Sequence, residues 1–258
     1  KTRGYSFFLY NGKLGLQLGD GVVYYNYITT GPLLNNGAWH HVAVVVNRGL
    51  RTVTLYRNAG VIGTFAISPS LGNIFNGSPL RIGLQNVGSG FIVAPFGGCI
   101  DEVEIFRRVL TQPELNGIFT ASKAGKCKCV VPPMVSMVEW LPGDFNSLDR
   151  SGKGNHGALV GGTWYGLGEV GPAFLLDGVN DFVRVPTSPT LNFGLGGFSI
   201  DAWINPTLTN GIRPIAEKRI PFNGSQPLGY LFYLEDGFLK LLLTDTSGTT
   251  IYTSPFTV

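Results

Sequence analysis

Charge is scarce in this sequence. Only 14% of its 258 residues are Asp, Glu, Lys or Arg, where a soluble domain carries about a quarter. That excludes a disordered acidic or basic tail, and with 37 glycines and 16 prolines it also excludes a coiled coil or a long helical bundle. Lys and Arg exceed Asp and Glu by three. They are scattered rather than gathered on one face, which argues against nucleic-acid binding. Long apolar runs are missing too. The runs are strand-sized, such as Val42–Val46, far short of the ~20 residues that span a bilayer, so no membrane insertion is expected. No leader segment opens the chain and residue 1 is Lys, so a processed chain or a fragment is expected. Cysteine is limited to Cys99, Cys127 and Cys129. One disulfide with a leftover thiol fits an exported protein, and three reduced thiols fit a cytosolic one. Low charge with abundant Gly, Asn and Thr favours the exported setting.

Short alternating strands and turn residues dominate what is present. Phe7–Tyr10, Asn11-Gly12 and Lys13–Leu18 read as a hairpin, with Asn-Gly supplying the two positive-φ residues of a type I′ turn. Leu14, Leu16 and Leu18 should share one face. His41–Asn47 and Thr52–Arg57 form a second hairpin, and Asn58-Ala59-Gly60 turns the chain into Val61–Ile67. Pro79–Leu84 and Cys99–Phe106 are further strands, the latter with acids on one face and Val103 and Ile105 on the other. One short helix is expected, with Thr111 as N-cap, Pro113 in the first turn and Glu114 at N3. Leu115, Ile118 and Phe119 give it an apolar stripe that would plug an edge of a sandwich. Lysines, small residues and Pro132-Pro133 mark 123–136 as a linker. In the second half Phe198–Ile204 is the clearest strand.

One hairpin occurs twice. Gly4–Gly12 recurs as Gly229–Gly237, and Leu14, Leu16, Leu18 and Asp20 fall on Leu239, Leu241, Leu243 and Asp245, at a constant offset of 225 residues. A fixed offset is the mark of a tandem array. Residues 1–122 are therefore expected to be the C-terminal part of one domain, and 137–258 the N-terminal part of the next.

Asn36–Val44, Pro79–Gly83 and Gly97–Phe106, with Asp149–Gly157, Phe174–Val183 and Phe198–Ile204, resemble the laminin-G-like, concanavalin A-like domains of large exported bacterial proteins. The motifs run in the order back half, linker, front half over nearly the whole chain. The resemblance implies an all-β, antiparallel jelly-roll β-sandwich with an extracellular or cell-surface setting and a non-catalytic role. Period-2 patterning and glycine-rich turns point to an all-β sandwich independently.

The resemblance also implies calcium near the sheet rim, held by carboxylates and carbonyls as a hard cation requires. Asp101 and Asp149 are the first candidates, with Asp144, Asp177 and Asp181 as further partners. Capping of turns by the same aspartates is the structural alternative. Cys99 stands where laminin-G domains place a disulfide, with Cys127 or Cys129 as its partner. Trp39-His40-His41 is no metal site by pattern, because adjacent strand residues face opposite ways and only His156 remains as a further imidazole. The Glu-x-Asp-x-x-Glu run of glucanases sharing this fold is absent, as are zincin, nucleophile-elbow and phosphate-loop motifs. The expected partners are neighbouring copies or repeats of the chain itself, giving an adhesive or structural module completed by strand or domain exchange, as in a filament. Glycans or surface proteins are the alternative, with Tyr24, Tyr25, Tyr27 and Trp164 as candidate contacts.

Overall fold

A computed structural model describes residues 3–30, 33–34, 36–84, 95–123, 136–208, 212–219, 229–235, 238–245 and 248–253. The first segment supplies β1 (Arg3–Tyr10), β2 (Lys13–Asp20), β3 (Tyr24–Ile28), β4 (His40–Asn47) and β5 (Thr52–Arg57). It continues through β6 (Gly60–Ala66), β7 (Leu80–Ile82), β8 (Gly97–Phe106) and helix α1 (Gln112–Lys123). The second segment supplies β9 (Met137–Leu141), β10 (Ala158–Val160), β11 (Trp164–Leu167), β12 (Pro172–Asp177) and β13 (Phe182–Val185). It ends with β14 (Phe198–Pro206), β15 (Ile212–Arg219), β16 (Gly229–Glu235), β17 (Phe238–Asp245) and β18 (Gly248–Thr253).

These strands form two sheets. One runs β10-β13-β7-β15-β1-β16-β17-β18 with β2 and β3 continuing from β1; the other runs β11-β12-β8-β14-β4-β5-β6 with β9 beside β8. The ladders are antiparallel, apart from one parallel pair between Tyr10 and Leu234. Strands from before and after residues 124–135 alternate. β14 lies between β8 and β4, and β7 lies between β13 and β15.

Local chemistry explains the hairpins. Asn11 (φ 47°) and Gly12 (φ 81°) make the expected turn. Asn58 (φ 49°) and Ala59 (φ 60°) make another of the same sense, with alanine in a region that suits glycine. Phe7, Leu16, Val44, Ile105, Phe174 and Ile200 meet in one core between the sheets. A second apolar cluster lies on the outer face of the smaller sheet, where Leu115 of α1 packs with Ala43, Val45, Tyr56, Phe106, Met137 and Trp140. The helix therefore covers a sheet face and does not plug an edge. Glu114 caps it as expected, its Oε2 accepting from the Thr111 N–H and Oγ at 2.8 Å each. Alternation sets Lys13 and Gln17 of β2 on one face with Ser6, Phe8 and Tyr10 of β1, and that face is buried as well as the leucine face. β16, β17 and β18 pack across β1, β2 and β3 and cover the face of Lys13 and Gln17.

Candidate functional site

A buried polar network surrounds β8. Its edge away from β14 is shared by two strands: β12 pairs Gly97–Ile100 and β9 pairs Val103–Phe106. The handover falls at Asp101-Glu102. Glu102 has φ 50°, and the register against β14 slips between Asp201 and Trp203. A bulge of this kind re-aims side chains, and here it buries two consecutive carboxylates, both 0% exposed. Asp101 Oδ2 accepts from the Val170 N–H at 2.9 Å. The turn at Gly168 fits only without a side chain, because a Cβ there would stand 2.5 Å from Asp101 Oδ2. Glu102 Oε2 accepts from Trp140 Nε1 at 2.7 Å.

Trp140 links this bulge to a braced loop. Its backbone N–H donates to Asp149 Oδ1 at 3.1 Å. The same carboxylate accepts from the Ser151 N–H (2.7 Å), Ser151 Oγ (2.8 Å) and the Asn155 N–H (3.0 Å). Asn155 Nδ2 returns to the Val138 carbonyl at 2.6 Å. Between these groups lies Glu139, fully buried opposite Ile105, with neither carboxyl oxygen partnered among the described residues. Burial, with the Asp149 charge adding to it, pushes its carboxyl well above the usual range.

Asp177 and Asp181 are brought together in a separate turn. Asp181 Oδ2 accepts from the Asp177 N–H at 3.1 Å and Asp181 Oδ1 from the Gly162 N–H, while Asp177 Oδ1 accepts from the Val179 N–H at 2.8 Å. The Asp144 carbonyl accepts from Asn146 Nδ2 at 2.6 Å. Asp101 and Asp149 thus brace different loops, and among the described residues no group of three His, Cys, Asp or Glu side chains is placed to hold a metal ion.

The histidines take separate environments. His40 Nε2 lies 2.9 Å from Asn36 Oδ1, and burial with Arg57 nearby pulls its pKa down to about 4. His41 Nε2 lies 3.2 Å from Asp201 Oδ1, both side chains buried, with its ring against Trp203 and Phe119. His156 Nδ1 accepts from the Asp149 N–H at 3.1 Å. Cys99 is half-buried, and burial with the Asp101 charge raises its thiol pKa. Cys127 and Cys129 lie outside the described residues.

Of the aromatic candidates, Tyr24 and Tyr27 are buried, Tyr25 is half-buried and Trp164 is 68% exposed. Trp164 stands on edge strand β11 opposite Leu175, with exposed Leu167 on the same strand. Glu102, Glu139 and the His41–Asp201 pair were not read from the sequence. The Asp101-Glu102 doublet, which breaks strand alternation, was a signal for the first. Val-Glu-Trp-Leu carries none for the second.

The arrangement around β8 accepts N–H bonds and braces loops. Residues 1–116 match the laminin-G family model described as the concanavalin A-like lectin/glucanases superfamily. Neither a curated protein nor a solved structure matches the chain. The match ends inside α1, and the ladders carry the sandwich on into the second segment through β12, β13, β14 and β15. Residues 1–116 are thus laminin-G-like, and the two antiparallel sheets that they build with the second segment are those of a jelly-roll sandwich.

Proposed function

We propose that the chain is a non-catalytic module of an extracellular or cell-surface protein, working as a structural or adhesive unit that associates with copies of itself. This reading starts from the alternation of the two segments within both sheets, which here is made within one chain. β14 makes ladders to β8 and β4 at once, and β7 needs β13 and β15 on its two sides. Neither segment covers its core without the other, and a second segment from a neighbouring chain would make the same ladders. Buried Asp101 and Asp149 support a structural role, since they accept backbone N–H groups.

The test is mass against concentration, by light scattering, with subunit exchange between isotopically light and heavy chains. Oligomers that grow with concentration and mix their labels are expected. A 27.8 kDa particle at every concentration overturns the reading.

A second reading is a binding module for glycans or proteins, with calcium as cofactor. Exposed Trp164 and Leu175, cross-strand partners on β11 and β12, favour it, since adjacent exposed apolar side chains mark contact sites. It ranks second because the candidate carboxylates already hold backbone donors. A glycan array run with and without calcium tests it, and no hit under either condition refutes the sugar form.

A further inference from the structure

Two strands of recurring sequence in this chain compete for one sheet edge. β1 pairs along its length with β15, from Gly4 opposite Arg219 to Leu9 opposite Arg213. β16 carries the recurring sequence and follows β15 through residues 220–228. Carrying the 225-residue offset into the β1–β15 register sets Gly229 opposite Arg219, Leu231 opposite Glu217 and Phe232 opposite Ala216. The described structure gives that edge to β1. β16 keeps a single pair with β1, Tyr10 with Leu234, and its hairpin lies over the first copy.

That overlay is costly for polar groups. Ser6, Lys13, Gln17 and Asn26 are each no more than 2% exposed. Gln17 Nε2 reaches Asn26 Oδ1 at 2.9 Å, but Ser6 Oγ and Asn26 Nδ2 have no partner among the described residues. Burying a polar group without a hydrogen bond is unfavourable. Withdrawal of either copy returns these polar groups to water, at the cost of exposing Phe8 and Tyr10 on the same face.

We propose that the β15 edge is an exchange slot that takes either hairpin, and that the released hairpin is offered to a second copy of this chain. Its open strand edges suit pairing with a sheet. The second clause rests on the self-association proposed above, whereas the exchange itself does not.

Cysteine pairs report which strand occupies the slot. Ser6→Cys with Glu217→Cys reads β1, and Leu231→Cys with Glu217→Cys reads β16, both in the full chain under mild oxidation. Peptide mass mapping separates these adducts from any made by Cys99, Cys127 or Cys129. Both adducts are expected, the second at a tenth or more of the yield of the first. A 217–231 adduct within one chain supports exchange and counts against self-association. The same adduct between chains, read from a mixture of the two single variants, supports both. A 6–217 adduct without any 217–231 adduct overturns the proposal. Absence of both also overturns it, because the register on which it stands would be wrong.

Discussion

Replacing Glu139 should stabilise the domain, and increasingly so as pH rises. The residue lies opposite Ile105 on β9, fully buried, and Tyr5 across the core feels its charge. Burial first, and Asp149 second, hold its carboxyl protonated far above the ordinary value of 4.5. The folded state therefore keeps a proton that the unfolded chain releases above pH 4.5. Stability is complete below that pH and falls as pH rises toward the folded pKa, at up to about 1.4 kcal/mol per pH unit. Glu139→Gln removes the slope but keeps a buried polar group. Glu139→Leu removes the slope and an unpaired polar group worth about 1–3 kcal/mol. At pH 8 the order of stability should be Leu above Gln above Glu, with Gln and Glu converging near pH 4.5. Urea unfolding at pH 4.5, 6 and 8, in calcium and in chelator, measures this. A flat wild-type profile, with Glu139→Leu destabilising at every pH, would refute the reasoning. It would mean that Glu139 is ionised and paired, with a cation as one candidate partner.

Other substitutions probe the bracing. Asp149→Ala strips acceptors from the Trp140, Ser151 and Asn155 N–H groups. It should cost about 2–4 kcal/mol in urea unfolding, equally with calcium and with chelator; a loss confined to calcium would make Asp149 an ion ligand. Ala59→Gly relieves a left-handed alanine (φ 60°) and should raise stability by about 0.5–1 kcal/mol, seen as a higher melting temperature. Lys218→Met removes an ammonium that donates to Asn76 O (3.1 Å), Asn76 Oδ1 (3.2 Å) and the Ser78 carbonyl. A loss of about 2–3 kcal/mol, with faster amide exchange at residues 73–79, is expected, and unchanged exchange there would show that Lys218 does not hold that loop.

The sequence made some parts of this fold legible because their causes are local. Asn11-Gly12 and Asn58-Ala59 specify turns by backbone preference alone. Thr111 and Glu114 mark a helix start through hydrogen bonds that span three residues. The placement of α1 was not legible in the same way. Its stripe of Leu115, Ile118 and Phe119 shows that a face is buried but not what buries it, and the answer lies in Ala43, Val45 and Phe106, far away in the chain. Glu139 was hidden for a related reason. In a strand read as Val-Glu-Trp-Leu, either face can be the inner one until the bulge at Glu102 and the pairing with Ile105 fix it.

Sheet order has no local signature. Alternation gives each strand an inner and an outer face but does not name its neighbours. β14 sits between β8 and β4 because that position satisfies two ladders at once, and no pattern inside Phe198–Ile204 states it. The duplicated hairpin is the limiting case of this argument. Its copies share the Leu14, Leu16 and Leu18 alternation and a turn dipeptide, so each offers the edge of β15 a similar strand, with Ser6, Phe8 and Tyr10 standing as Leu231, Tyr233 and Glu235 in the second. Local sequence cannot choose between two segments that are locally alike; only the connection through residues 220–228 and the strands around the slot differ. When one edge has two such claimants, the choice rests on connectivity and on what else each hairpin can pair with, so occupancy of that edge should respond to the presence of a second chain.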